Sequence, residues 1–159
     1  HSASTRPVFG QGLCFFPTGF GKGELLAVDP NGKNDITQTN IKWRLARSGV
    51  PEKPSLLHVD SHLYMIDDQG GLVTCLEAKT GKEAWSERLG GNYSASPITA
   101  KGRIYAFSES GKCTVFKASS DRFQKLAENK LESGFMASPA VHGNALILRT
   151  KTHLYRVKD

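Results

Sequence analysis

Long hydrophobic runs are missing from this 159-residue chain. None approaches the roughly 20 residues that a membrane-spanning helix requires. Apolar residues at helical spacing are nearly absent too, which excludes a helical bundle or coiled coil. The single helix-like stretch, residues 118–131, is short and reads as an outer strand with its turns. No low-complexity segment or linker divides the chain, so one architectural domain is expected. Cysteine is sparse: Cys14, Cys75 and Cys113 stand singly inside apolar segments, with no C-x-x-C pair. That spacing excludes zinc-ribbon and c-type haem attachment, and predicts buried free thiols. His58, His62, His142 and His153 form no H-x-H or H-E-x-x-H pattern, so no metal site is read from them. A G-x-S-x-G elbow is lacking, and no serine has an assignable base. Gly19-Phe20-Gly21-Lys22-Gly23 leads into a strand and has no helix behind it, which disqualifies it as a phosphate loop. Acidic excess is absent: 21 Lys+Arg face 15 Asp+Glu, a formal +6. The cations are scattered, with no basic helix or Arg-rich run, which reads as a solvated surface and not a nucleic-acid footprint.

What the chain does have is repetition. Leu63-Tyr64, Ile104-Tyr105 and Leu146-Ile147 recur at steps of 41 and 42, and Leu13-Cys14 is a looser first copy. Val28, Leu76, Phe116 and Val157 close a second series, at steps of 48, 40 and 41. Ser96-Pro97 and Ser138-Pro139 form a third, with Arg6-Pro7 and Ser55-Leu56 as weaker equivalents. Each copy reads as four short strands separated by Gly-, Asn- and Asp-rich turns, such as Asp67-Asp68-Gln69-Gly70-Gly71. Four-stranded units at this period predict an all-β chain: blades of a β-propeller, at about 1–48, 49–90, 91–132 and 133–159. The first unit carries a longer loop, Asn31 to Asn40, and the fourth lacks an outer strand.

Four blades sit at the lower limit of the roughly four to eight that propellers use. The chain begins in strand-like sequence without Met. It is therefore expected to be the C-terminal part of a longer protein, a partial ring of a seven- or eight-bladed propeller. A four-blade stack leaves two end faces uncovered, and these are expected to meet the remaining blades of a longer chain or a second copy.

Residues 71–85, read as Gly-Leu-Val-Thr-Cys-Leu-Glu-Ala-Lys-Thr-Gly-Lys-Glu-Ala-Trp, resemble the repeat of pyrroloquinoline-quinone-like (quinoprotein-type) propellers. That repeat runs G-x-L-x-A-L-D-A-x-T-G-K-x-x-W after an S-P strand and a G-x-(L/I/V)-Y strand. Gly102, Ile104-Tyr105, Ser96-Pro97 and Ser138-Pro139 supply those pieces, and Gly23 to Asp29 with Trp43 gives a second match. The segment Leu148 to Arg156 is similar to the end of secreted bacterial proteins of this type, and is expected to lie near a genuine C-terminus. The resemblance implies structural roles for Trp43, Trp85, Gly81, Pro97 and Pro139, the tryptophans lying between blades. It implies export to the periplasm or cell surface. It also implies one of two functions. One is a non-catalytic scaffold docking protein or polysaccharide partners without a cofactor, as in the outer-membrane barrel assembly lipoprotein. The other is a fragment of an alcohol or sugar dehydrogenase that uses pyrroloquinoline quinone with calcium. The adjacent cysteines and acid–amide set of many such dehydrogenases are not found here, so no catalytic, cofactor or metal residue is assigned. Asp67-Asp68 reads as a turn.

Alternating strand direction places the connectors between blades beside the hairpins that join second and third strands. Arg6, Phe20, Asp67, Asn92, Tyr93, Glu109, Phe135, Met136, Arg149 and Lys151 are expected on that face. Within it, Arg6, Asn92, Tyr93, Phe135, Arg149 and Lys151 are the candidate partner-contacting residues: aromatics mixed with cations grip peptides or glycans. The Thr80-Gly81 and Ser120-Asp121 turns fall on the opposite face.

Overall fold

The computed structural model describes residues 4–18 and 23–158, and its regular elements are strands throughout. Blade 1 holds β1 (Val8–Gly10), β2 (Leu13–Thr18), β3 (Glu24–Val28) and β4 (Ile41–Ala46). Blade 2 holds β5 (Leu57–Val59), β6 (His62–Ile66), β7 (Leu72–Glu77) and β8 (Glu83–Arg88). Blade 3 holds β9 (Ile98–Ala100), β10 (Arg103–Phe107), β11 (Lys112–Lys117) and β12 (Lys125–Lys130). Blade 4 has three strands, β13 (Ala140–His142), β14 (Ala145–Arg149) and β15 (Leu154–Lys158). In every blade the strands lie antiparallel in chain order. This is a partial β-propeller. Phe20 and the rest of residues 19–22 lie outside the described residues.

The central strands of blades 2 and 3 read as continuous apolar runs because both faces of those blades are buried. Leu63, Met65 and Leu76 turn back and pack with Phe15, Leu25 and Ala27 of blade 1. Their neighbours Tyr64, Ile66, Val73 and Cys75 turn forward onto Ile104, Ala106 and Phe116 of blade 3. A third cluster joins Phe107 and Phe135 to Leu148 of blade 4. A register shift occurs at the same repeat position in three blades, at Ala27/Val28, Cys75/Leu76 and Val115/Phe116. It bends each outer strand at one place and gives the blades a common twist.

Two devices hold neighbouring blades together. The first is the outer-strand tryptophan. Trp43 Nε1 donates to the Ala78 carbonyl at 3.1 Å, and Trp85 Nε1 donates to the Ser119 carbonyl at 2.9 Å. The Trp43 ring covers Gly81, whose φ is +72° and where a Cβ would lie 2.8 Å from the ring. Only glycine fits there. Trp85 packs edge-on against Phe116 and Phe123 of blade 3. Truncation of a fully buried aromatic costs about 3–5 kcal/mol, and less for these half-buried rings. The second device is a ladder along the inner strands. Arg6 N donates to Ser55 Oγ, Ser55 N to Ser96 Oγ, and Ser96 N to Ser138 Oγ, each at 2.9 Å. Pro97 and Pro139 follow two of these serines; proline fixes φ and carries no N–H of its own.

Candidate partner-docking face

The connectors entering each blade are hydrogen-bonded to hairpin tips of the preceding or same region of the face. Tyr93 N donates to the Asp68 carbonyl and Glu109 N to the Asn92 carbonyl, at 2.9 and 2.8 Å. Phe135 N reaches the Ser108 carbonyl at 3.2 Å, and Lys151 N the Ser133 carbonyl at 3.3 Å. Connectors and hairpins therefore form one surface, built on rigid strands.

The residues expected on it separate into two groups. Arg6, Asn92, Met136, Arg149 and Lys151 are exposed. Tyr93 and Phe135 are not: they are 0% and 2% exposed. Tyr93 fills the space against Gly71, and burial pushes its phenol up to about 12. Phe135 packs edge-on against Phe107, with centroids 5.1 Å apart. Both aromatics anchor connectors from below, and a partner would not touch them. Asn92 is tied to its own face, its side-chain oxygen accepting from Gly70 N at 3.4 Å.

Near the blade 3–blade 4 junction, Met136, Ala137, Arg149, Thr150 and Lys151 line an open cavity of about 230 Å³. Met136 is 57% exposed and provides an adaptable apolar surface beside two cations. The Thr150 backbone is fixed by its N–H to the His153 carbonyl at 2.9 Å, which holds Arg149 and Lys151 on either side. Arg6 lies in blade 1 and Asn92 in the connector to blade 3, and neither lines this cavity.

A second polar group lies between blades 2 and 3, and Lys53 and Ser94 within it were missed in the sequence. Asp68 is 6% exposed; its Oδ2 accepts from Glu52 N at 2.5 Å, and Oδ1 is buried without a partner. Desolvation raises its pKa above the ordinary carboxylate value, against the pull of the Glu52 amide and Lys53. Glu109 accepts from Ser94 Oγ at 2.5 Å and faces Lys53 Nζ at 3.9 Å. The repeat alignment of Asp68 with Glu109 was the available signal for an acid at these two hairpin tips. Among the described residues no three His, Cys, Asp or Glu side chains converge as a metal-binding group. A wider cavity of about 330 Å³ lies among Ser61, His62, Glu77, Lys82, Glu83, Ala84 and Ser120, beside the turns of the opposite face.

Comparison with known proteins adds the following. No curated protein sequence matches the chain. The family model described as outer membrane protein assembly factor BamB matches residues 21–122. Among solved structures, BamB from Moraxella catarrhalis superposes with a TM-score of 0.66 at 17% identity, over 91% of this chain and 45% of its own. A europium-containing methanol dehydrogenase gives 0.58 at 16% identity, over 78% of this chain and 24% of that one. The computationally designed Ika4 protein gives 0.66 at 14% identity, over 96% and 88% of the two chains. The chain thus spans less than half the length of the BamB structure. At these identities the structural likeness establishes the fold alone.

Proposed function

The chain belongs to the family described as outer membrane protein assembly factor BamB, and on that premise we propose that it is a non-catalytic docking module for protein partners. The observation that carries the proposal is the Met136–Arg149–Lys151 cavity on the connector face. A flexible thioether beside two exposed cations fits an acidic peptide segment, with the apolar floor excluding water around the contact. Export belongs to the same proposal, since the family is named for outer-membrane protein assembly. So does operation without bound pyrroloquinoline quinone. Acidic polysaccharide is the other ligand class that two cations and an open cavity would accept.

An array of acidic and neutral 12-residue peptides, run beside an array of acidic glycans, tests it. Selective binding of acidic peptides is expected, lost in Arg149→Glu/Lys151→Glu. Preference for glycans, or indifference to the double substitution, contradicts the protein-docking reading. Titration with pyrroloquinoline quinone plus Ca²⁺ tests the remaining alternative. Saturable binding with a raised melting temperature would move the chain to the dehydrogenase class, because a ligand held by the native state stabilises it.

A further inference from the structure

The chain carries sulfur in Cys14, Met65, Cys75, Cys113 and Met136, and the fold treats these side chains unequally. Met65 and Cys75 are fully buried between blades. Burial pushes the Cys75 and Cys113 thiols up to about 11, so little of either is the thiolate that oxidants attack. Cys14 is half-buried in β2 of blade 1. Met136 stands apart: it is 57% exposed and lines the connector-face cavity with Ala137, Arg149, Thr150 and Lys151.

The connector that carries Met136 is fixed on both sides. Phe135, one residue earlier, is buried against Phe107 and donates its N–H to the Ser108 carbonyl. Gly134 lies so close to the Glu109 carbonyl that no side chain would fit, with φ +63°. On the hairpin side, Lys151 N donates to the Ser133 carbonyl, and Thr152 Oγ1 donates to Ser133 Oγ at 3.0 Å. The backbone thus holds the thioether and the two cations in one cavity. Chemistry at the sulfur alters that cavity and leaves the strands that build it in place.

We propose that Met136 is an oxidation site that controls docking at this cavity; the inference rests on the docking function assigned there and adds its regulation. The oxidant is a hydroperoxide. A sulfur lone pair attacks one peroxide oxygen, the S–O bond forms and the O–O bond breaks. Sulfur is oxidised by two electrons to the sulfoxide, and hydrogen peroxide is reduced to water. A dithiol reverses the step, carrying the oxygen off as water and leaving as a disulfide, the route of methionine sulfoxide reductases. The sulfoxide is polar and presents an acceptor oxygen. Arg149 and Lys151 are exposed donors in the same cavity, and neither is in an ion pair among the described residues. They donate to the sulfoxide oxygen in competition with the carboxylates of an acidic partner, while the apolar floor that dries the contact is lost.

The folded protein is treated with hydrogen peroxide, digested and mapped by mass. One added oxygen is expected at Met136 while Met65 stays reduced; in urea both oxidise. Affinity is read by anisotropy with a fluorescein-labelled 12-residue peptide of three Gly-Leu-Glu-Glu units. It is measured before oxidation, after it, and after repair by the two methionine sulfoxide reductases with dithiothreitol. Oxidation is expected to weaken binding about tenfold, as when the apolar burial of one side chain is lost, and repair to restore it. The melting temperature is expected to stay put, since the thioether is exposed. Met136→Leu keeps all three cysteines, and its affinity, whatever its starting value, is expected to be the same before and after peroxide. Met65 oxidised as fast as Met136 in the folded protein, binding that survives oxidation of Met136, or a Met136→Leu protein that remains sensitive each overturns the proposal. Those outcomes leave the docking reading standing, whereas untreated protein that does not bind the peptide removes both.

Discussion

His58 shows how tightly single positions are specified. Its imidazole lies under Gly10, where a Cβ would come within 2.5 Å of the ring. The ring stacks on Phe15 with centroids 6.4 Å apart, and its Nε2 is buried without a partner. Desolvation lowers its pKa from 6.5; Asp60 opposes that shift and His62 adds to it. The neutral ring is thus favoured in the folded state, and the unfolded chain takes up the proton first. The stability from this group is complete above about pH 6.5 and is lost as pH falls from there toward the lower folded-state value. Urea melts at about pH 7.5 and 5.5 should show lower stability in acid, and His58→Gln should flatten the difference. Equal pH dependence in both proteins would exclude His58 as its source. In the sequence this histidine was visible only as a residue without metal spacing. Its burial depends on Gly10, 48 residues away, and no local pattern reports that.

At the scale of the strand, the serine ladder was half legible. Ser96-Pro97 and Ser138-Pro139 stood out because proline marks them, whereas Ser55-Leu56 looked like a poor copy. The structure shows that the hydroxyl makes the link: Ser55 Oγ accepts from Arg6 N as Ser96 Oγ does from Ser55 N. Ser96→Ala should leave the Ser55 N–H without its acceptor and cost about 1–3 kcal/mol. Ser96→Thr, which keeps an oxygen, should cost less; a denaturant melt in which the two are equal would remove the ladder from the account. The inserted loop of blade 1 was recognised as a loop, and its internal order was not. Asn40 Nδ2 bonds to both the Asp29 and Asn31 carbonyls, at 2.9 and 3.0 Å, and so closes the loop on itself. Such closure rests on the path of the chain, which has no period to detect.

At the scale of the whole molecule, the two ends of the stack differ. On the uncovered side of blade 1, Cys14, Phe16, Leu26 and Val28 occupy the repeat positions of Leu63, Met65, Thr74 and Leu76. The blade 2 residues are fully buried, while those of blade 1 are only partly so and belong to none of the three core clusters. Phe9 on the same side is 65% exposed. We expect this face to drive concentration-dependent association, reduced by Phe16→Glu. Light scattering that shows a monodisperse monomer at all concentrations would refute it. Blade 4 instead presents Arg149, Arg156 and Lys158 on its outward face, and is suited to a charged partner.

The sequence by itself determined the repeat, the all-β architecture and the alternation that sends neighbouring side chains to opposite blades. Those properties depend on period and local turn chemistry, which a one-dimensional pattern carries. It also brought the Met136, Arg149 and Lys151 positions to one face, since strand direction alone groups connectors with hairpins. Tertiary structure decided which face residues a partner could reach. Tyr93 and Phe135 are aromatic residues in connectors, and sequence offers no means to distinguish an anchor from a contact. Packing against Gly71 and Phe107 takes them out of solvent. Arg149 and Lys151 stay exposed, and neither is in an ion pair among the described residues.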